Sequence, residues 1–188
     1  MILIITKKIW DKSNFYDLNK KKYIVKNKIQ KNFIKNLKPK IIFFIHWSKI
    51  IDKEIFEKYL CIQFHTSDLP FGRGGSPVQN LIALGFKKTK ITAFKINSSI
   101  DGGPYCLKRN IVLSGKAEDL FKKIEQTSIK MIKVISKQKI IKFKKQKGKI
   151  VNFKRRNAKE SHLNFKKLKS INKIYDCIRM LDATGYKS

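Results

Sequence analysis

The chain opens on Ile2 to Thr6, an apolar run too short for a helix and of the kind a strand buried on both faces requires. Asp11 to Lys22 is polar and reads as helix or loop, and Tyr23 to Val25 reads as a second short strand. Ile29, Phe33, Ile34 and Leu37 recur at helical spacing, so the pattern predicts an amphipathic helix that stops before Pro39. Ile41 to Ile45 is again continuously apolar, with β-branched and aromatic side chains suited to a buried parallel strand. Asp52 to Tyr59 carries Ile55, Phe56 and Tyr59 on one helical face, and Leu60 to Phe64 forms a further strand that delivers His65. Strand, helix and strand in this order make a βαβ unit. Such units hold ligands in a crevice outside the strand C-termini, which is where His65 falls.

Further along, Pro70 to Pro77 is a glycine-rich loop, and Val78 to Leu84 is a helix ended by Gly85. Lys90 to Ile96 alternates as a strand, with Ile91, Ala93 and Lys95 opposite Thr92, Phe94 and Ile96. Asn97 to Pro104 is a turn, Ile111 to Leu113 a last short strand, and Ala117 to Ser136 the longest helix, with Leu120, Ile124, Ile129, Ile132 and Ile135 along one side. Lys137 to Lys149 reads as an exposed connection, leading to Ile150 to Arg156 and a final helix from Ile171 to Leu181. The expected class is α/β, a doubly wound and mostly parallel sheet with a short C-terminal extension. Residues 1–140 form the main domain and 150–188 a partial C-terminal subdomain in this reading, with no internal repeats.

Composition changes this picture little. A chain of 188 residues suits one compact domain. Its formal net charge of +31 would ordinarily point to an anionic partner such as nucleic acid. Yet the only arginines are Arg73, Arg109, Arg155, Arg156 and Arg179, the lysines are spread along the whole length, and a Lys- and Ile-rich composition also follows from an AT-biased genome. Cys61, Cys106 and Cys177 form no CxxC pair, so neither a disulfide framework nor a metal site is expected, and a reducing cytoplasm fits. The apolar start is too short for a signal peptide core or a membrane span, and no membrane association is expected.

The chemistry concentrates in Gln63-Phe64-His65-Thr66-Ser67-Asp68-Leu69-Pro70-Phe71-Gly72-Arg73-Gly74-Gly75-Ser76-Pro77 and in Ser99-Ile100-Asp101-Gly102-Gly103-Pro104, with 36 residues from His65 to Asp101. Taken singly these residues have bland explanations: a lone histidine is commonly a core residue, and Asp before Gly-Gly-Pro is good turn chemistry. The glycine loop lacks the Lys-Ser/Thr of a P-loop and the flanking order of a dinucleotide fingerprint. Joined at this spacing, the two segments resemble the folate-dependent formyltransferase family, with its Asn-x-His-x-Ser-Leu-Leu-Pro-x-x-x-Gly segment and later Asp-x-Gly-Pro turn. The resemblance is good over Pro39 to Ile135 and loose before that.

The resemblance implies a Rossmann-like formyltransferase fold and transfer of a formyl group from 10-formyltetrahydrofolate to a primary amine. It implies His65, Asp101 and Gln63 as catalytic residues, with Ser67, Leu69, Pro70, Gly72, Arg73, Gly74, Gly102 and Gly103 around the folate donor. The residue chemistry agrees. A strand-end imidazole can donate to the oxyanion that forms when an amine attacks a formyl carbon, and a neighbouring carboxylate can orient the ring and accept the amine proton. One departure stands out, because Gln63 occupies the position of the family's asparagine, a donor to the formyl oxygen.

Beyond the Lys-rich connection, Phe153 to Leu163, with Arg155-Arg156, Ala158, Ser161 and His162, and Ile178-Arg179 are similar to the C-terminal region of nucleotide-sugar formyltransferases, in which a proline stands at the position of Ala158. An amino sugar on a nucleotide is therefore the expected acceptor. Methionyl-tRNA as acceptor, with basic charge meeting RNA phosphates, is the first alternative. Hydrolysis of formyltetrahydrofolate and a non-catalytic relative that lost activity through Gln63 are the others. The sequence leaves the oligomeric state open.

Overall fold

Ile2–Thr6 (β1) and Ile41–Ile45 (β3) lie side by side at the heart of a six-stranded sheet, and every residue of both is buried. This computed structural model describes residues 1–16, 18, 21–157, 159 and 170–184. Tyr23–Lys26 (β2) pairs with β1 at one edge, and Cys61–His65 (β4) pairs with β3 on the other side, all parallel. Lys88–Lys95 (β6) and Tyr105–Val112 (β7) complete the order β2-β1-β3-β4-β6-β7 as an antiparallel hairpin, with β6 antiparallel to β4. The expected mostly parallel sheet is therefore present, extended by an antiparallel edge.

Strand pleating sorts the apolar residues into two cores, one per face. Ile2, Ile4, Ile41, Phe43, Ile45 and Ile62 pack on one side with residues from Pro77–Ala83 (α4) and Ala117–Ile135 (α5). Leu3, Ile5, Ile42, Phe44 and Cys61 pack on the other with Ile34 of Lys31–Leu37 (α2) and Ile55 of Lys53–Lys58 (α3). Helices on both faces of one sheet make the doubly wound arrangement, and this explains why the central strands read as unbroken apolar runs. Among the described residues, no helix is long and apolar enough to cross a membrane.

Three local features bear on the site. Helix α4 begins with Pro77 at its first turn and ends in a Schellman motif, with Phe86 N–H on Leu81 O at 3.0 Å, Gly85 N–H on Ile82 O at 2.8 Å, and Gly85 at φ +82°. Fully buried Glu125 of α5 accepts from Trp10 N–H (3.0 Å), Asp11 N–H (2.9 Å) and Asn14 Nδ2 (3.0 Å), which satisfies the carboxylate and pins the loop after β1, ahead of Ser13–Tyr16 (α1). Ile171–Arg179 (α6) places buried Arg179 against Asp176 at 2.6 Å and against the carbonyls of Leu113 (2.8 Å) and Gly115 (2.9 Å). Arg179 thus ties the C-terminal helix to the turn before α5.

Departures from the sequence-based expectation have clear causes. The glycine-rich loop contains a strand, Phe71–Gly74 (β5), that pairs in parallel with Val151–Phe153 (β8) in a separate two-stranded sheet. A four-residue strand holding two glycines has no apolar pattern to announce it. The last strand of the main sheet is also longer than Ile111 to Leu113, because β7 runs from Tyr105 through the polar Lys108, Arg109 and Asn110 of an edge position. The Lys-rich connection is anchored where exposure was expected: Ile141 and Phe143 pack on the core and Lys144 bridges to Tyr105. Ala158, Ser161, His162 and Leu163 lie outside the described residues.

Candidate active site

His65 is the last residue of β4 and sits at the C-terminal edge of the parallel strands, 5% exposed. Its Nε2 lies 2.7 Å from the carbonyl oxygen of Gly72. A carbonyl only accepts, so Nε2 carries the hydrogen of that bond and the opposite nitrogen faces away from it. That nitrogen, Nδ1, lies 3.5 Å from Oδ2 of Asp101. The same carboxylate oxygen accepts from the backbone N–H of Gly74 at 2.8 Å. The histidine ring is therefore held between the glycine loop on one edge and the Asp101 turn on the other.

The loop between β4 and β5 is built for this clamp. Buried Ser67 donates its hydroxyl to the Gly72 carbonyl at 3.2 Å, and Thr92 of β6 donates to Ser67 O at 2.7 Å. Leu69 is fully buried, and the Leu69-Pro70 peptide is cis. Asp68, next in line, points elsewhere, onto Lys90 (2.8 Å) and Lys108. Burial pushes its carboxyl upward, but hydrogen bonds and charge from Lys108 and Lys90 outweigh burial and hold it below the usual carboxylate value.

The glycines serve contacts within the protein. A Cβ on Gly72 would meet the Phe153 ring at 2.6 Å, and one on Gly74 would meet Phe153 O at 2.5 Å, so both let β5 close on β8. A Cβ on Gly102 would fall 2.7 Å from Cβ of Ser99, and one on Gly103 only 1.7 Å from Lys95 O. The turn that carries Asp101 is thereby pressed onto β6. Asp101 itself is left-handed at φ +49°, a conformation that Asp and Asn tolerate better than most residues.

Gln63 lies two residues before His65 on β4 and so shares its face of the sheet, with its Nε2 3.4 Å from Trp47 O. The segment after β3 borders the same edge. His46 is left-handed at φ +49°, and its Nε2, like Nε1 of Trp47, is buried without a hydrogen-bond partner among the described residues. Burial depresses His46 to about 4, against a weaker opposing hydrogen bond with the backbone of Phe121. Its ring packs edge-on against Trp10 and Phe121.

The predicted residues thus converge: His65, Asp101, Ser67, Gly72 and Gly74 share one hydrogen-bonded cluster, with Gly102 and Gly103 forming its turn. Arg73 enters through its neighbours, with Nη2 2.7 Å and Nε 3.2 Å from Oε1 of Gln146. Gln146 was not legible in the sequence, since a single glutamine among lysines carries no periodic or motif signal. Arg155 reaches Ser48 O at 3.5 Å, and Arg156 N–H meets Ser76 Oγ at 3.2 Å, so the Arg-Arg segment lies beside the glycine loop.

A mostly parallel sheet with a histidine and a carboxylate meeting at its strand ends belongs to the α/β class that binds its ligands at this edge. Comparison with known proteins makes this specific. Residues 158–187 match the family model described as the methionyl-tRNA formyltransferase C-terminal domain. Methionyl-tRNA formyltransferase from Thermodesulfovibrio yellowstonii is 33% identical over 158 residues, which cover 79% of this chain and 51% of that protein. The structure of methionyl-tRNA formyltransferase from Clostridium thermocellum superposes with a TM-score of 0.88 at 41% identity, covering 98% of this chain and 84% of that one. HypX from Aquifex aeolicus in complex with tetrahydrofolic acid shares the fold at 13% identity, with a TM-score of 0.77 over 97% of this chain and 34% of that one. The chain belongs to the formyltransferase family. It spans about half or less of the length of the first curated relatives it matches.

Proposed function

We propose that this protein transfers a formyl group from 10-formyltetrahydrofolate to the amino group of methionyl-tRNA. The observation that carries the transfer reading is the juxtaposition of His65 and Asp101 at the strand edge, each held by the backbone of β5. In this reading the amine nitrogen attacks the formyl carbon and a C–N bond forms as the carbonyl π electrons move onto oxygen. With Nε2–H on Gly72 O and Nδ1 facing Asp101, the His65 imidazole donates to that oxyanion by giving it the Nε2 hydrogen in place of the Gly72 carbonyl, and Asp101 accepts the proton of the attacking amine, directly or through water. Collapse of the intermediate breaks the bond to the donor nitrogen, which leaves with a proton as tetrahydrofolate.

The acceptor was expected from the Arg155-Arg156 segment to be an amino sugar on a nucleotide. Similarity favours the other choice, because the relatives at 33% and 41% identity are both methionyl-tRNA formyltransferases. The formal net charge of +31 supports the same choice, since lysines that neutralise phosphates release counterions and add affinity at low salt. The test is a transfer assay with 10-formyltetrahydrofolate against methionyl-tRNA and against amino-sugar nucleotides. Formylation of methionyl-tRNA that weakens steeply with salt is expected. Formylation of an amino sugar alone would refute the acceptor, and folate turnover without any acceptor would point to hydrolysis.

A further inference from the structure

Gln146 lies in the segment between α5 and β8, where lysines alternate with few other groups. Its carboxamide is nonetheless fully engaged. Nε2 donates to Asp101 O at 2.8 Å and to Gly103 O at 2.7 Å, while Oε1 accepts from Arg73 Nη2 at 2.7 Å and Nε at 3.2 Å. Carbonyls only accept and a guanidinium only donates, so one orientation of the amide satisfies all four bonds. These contacts join the two halves of the site. Arg73 immediately precedes Gly74, whose N–H holds Asp101 Oδ2, and the Asp101 backbone is held in turn by Gln146. Gln146, Arg73, Gly74 and Asp101 close a ring around the turn that presents the carboxylate to His65.

We propose that Gln146 is a positioning residue that fixes the Asp101 carboxylate against His65 and acts only through it. The proposal rests on the reading of Asp101 as a group that works in formyl transfer. The turn needs such a tie because Asp101 is left-handed and Gly103 is pressed against Lys95 O, while its other main-chain bonds are Gly102 N–H to Ser99 O at 3.2 Å and Lys95 N–H to Pro104 O at 2.8 Å. In Gln146→Glu the oxygen facing Arg73 is kept, but the two-donor end becomes an oxygen aimed at two carbonyl oxygens. The turn is then pushed away while the side chain keeps its shape. Gln146→Met keeps length and removes both sets of bonds.

The experiment combines kinetics with amide exchange on the full chain. Both variants are expected to lose about 10- to 100-fold in kcat, as for a shift of roughly 1 Å in a reacting group, with KM for the donor little changed. Combined with Asp101→Asn, Gln146→Glu is expected to cost almost nothing more, because groups that act through one another are not additive. Exchange of the Gly74 amide is expected to quicken in both variants while the amides of β1 and β3 stay protected. Additive losses in the double variant, or unchanged protection at Gly74, would overturn the proposal. So would loss of β1 and β3 protection in both variants, since Gln146 would then hold the fold and not the turn. If the wild-type protein transfers to no acceptor and Gly74 exchange still responds, the transfer reading fails and the positioning role stands.

Discussion

Gly103→Ala adds one methyl group at the most crowded point of the Asp101 turn, and its effect can be worked from the structure. The new Cβ would lie 1.7 Å from Lys95 O, whereas such contacts are essentially never under 3.0 Å, so turn and strand must separate by more than 1 Å. Lys95 cannot yield easily, because it pairs with Ile62 inside the sheet. The turn moves instead, which strains Lys95 N–H to Pro104 O (2.8 Å) and Gln146 Nε2 to Gly103 O (2.7 Å). Each lost bond costs about 1 kcal/mol, and overpacking adds roughly 1–3 kcal/mol, giving about 3–5 kcal/mol. For a chain of this size that lowers Tm by roughly 6–20 °C. Gly85→Ala is the control: it has nothing within 4 Å of the new Cβ and carries only the penalty of φ +82°, about 1–2 kcal/mol. Thermal unfolding by circular dichroism compares the two. A Gly103→Ala protein no less stable than Gly85→Ala would refute the packing argument for this turn.

Two further predictions concern the segment after β3 and its neighbour on β4. His46 titrates at about 4 in the folded chain against its ordinary 6.5, so the unfolded chain binds the proton first. The His46 contribution to stability is therefore constant above about pH 6.5 and declines by on the order of 3 kcal/mol as the pH falls from there to about 4. His46→Asn, which tolerates the left-handed backbone, should remove this acid slope in urea titrations, and an unchanged slope would contradict it. Gln63→Asn restores the family residue beside His65 and should keep or raise transfer, since an oxyanion donor is worth on the order of 100- to 1000-fold in rate. A protein inert in both forms would favour the non-catalytic alternative.

Much of this architecture was legible because its central strands are buried on both faces. Ile2–Thr6 and Ile41–Ile45 could be recognised as apolar runs, and α5 by its helical spacing, since in each case burial dictates the pattern. The pair of His65 and Asp101 could be seen because each sits in a short motif at a family spacing. What remained hidden depends on pairing between distant segments. Strand β5 exists only because Phe153 comes to lie over Gly72 and Gly74, 79 to 81 residues away in sequence. Gln146 gains its role only from the carbonyls and guanidinium brought around it, and Glu125, an acid in mid-helix, from two donors in the loop after β1 and a third, Asn14, in α1. The acceptor was less legible for a related reason. The Arg155-Arg156 resemblance rested on a few residues, of which Ala158 and Ser161 lie outside the described part.

In the proposed reaction His65 and Asp101 act together on a formyl group. Single-turnover transfer from 10-formyltetrahydrofolate to methionyl-tRNA should be measured for the wild-type protein, His65→Ala and Asp101→Asn, with unfolding curves to verify folding. Both residues lie at the strand edge and outside the two cores, so the variants are expected to fold and to lose transfer by about 100-fold or more. Transfer at the wild-type rate in either folded variant would contradict the central claim.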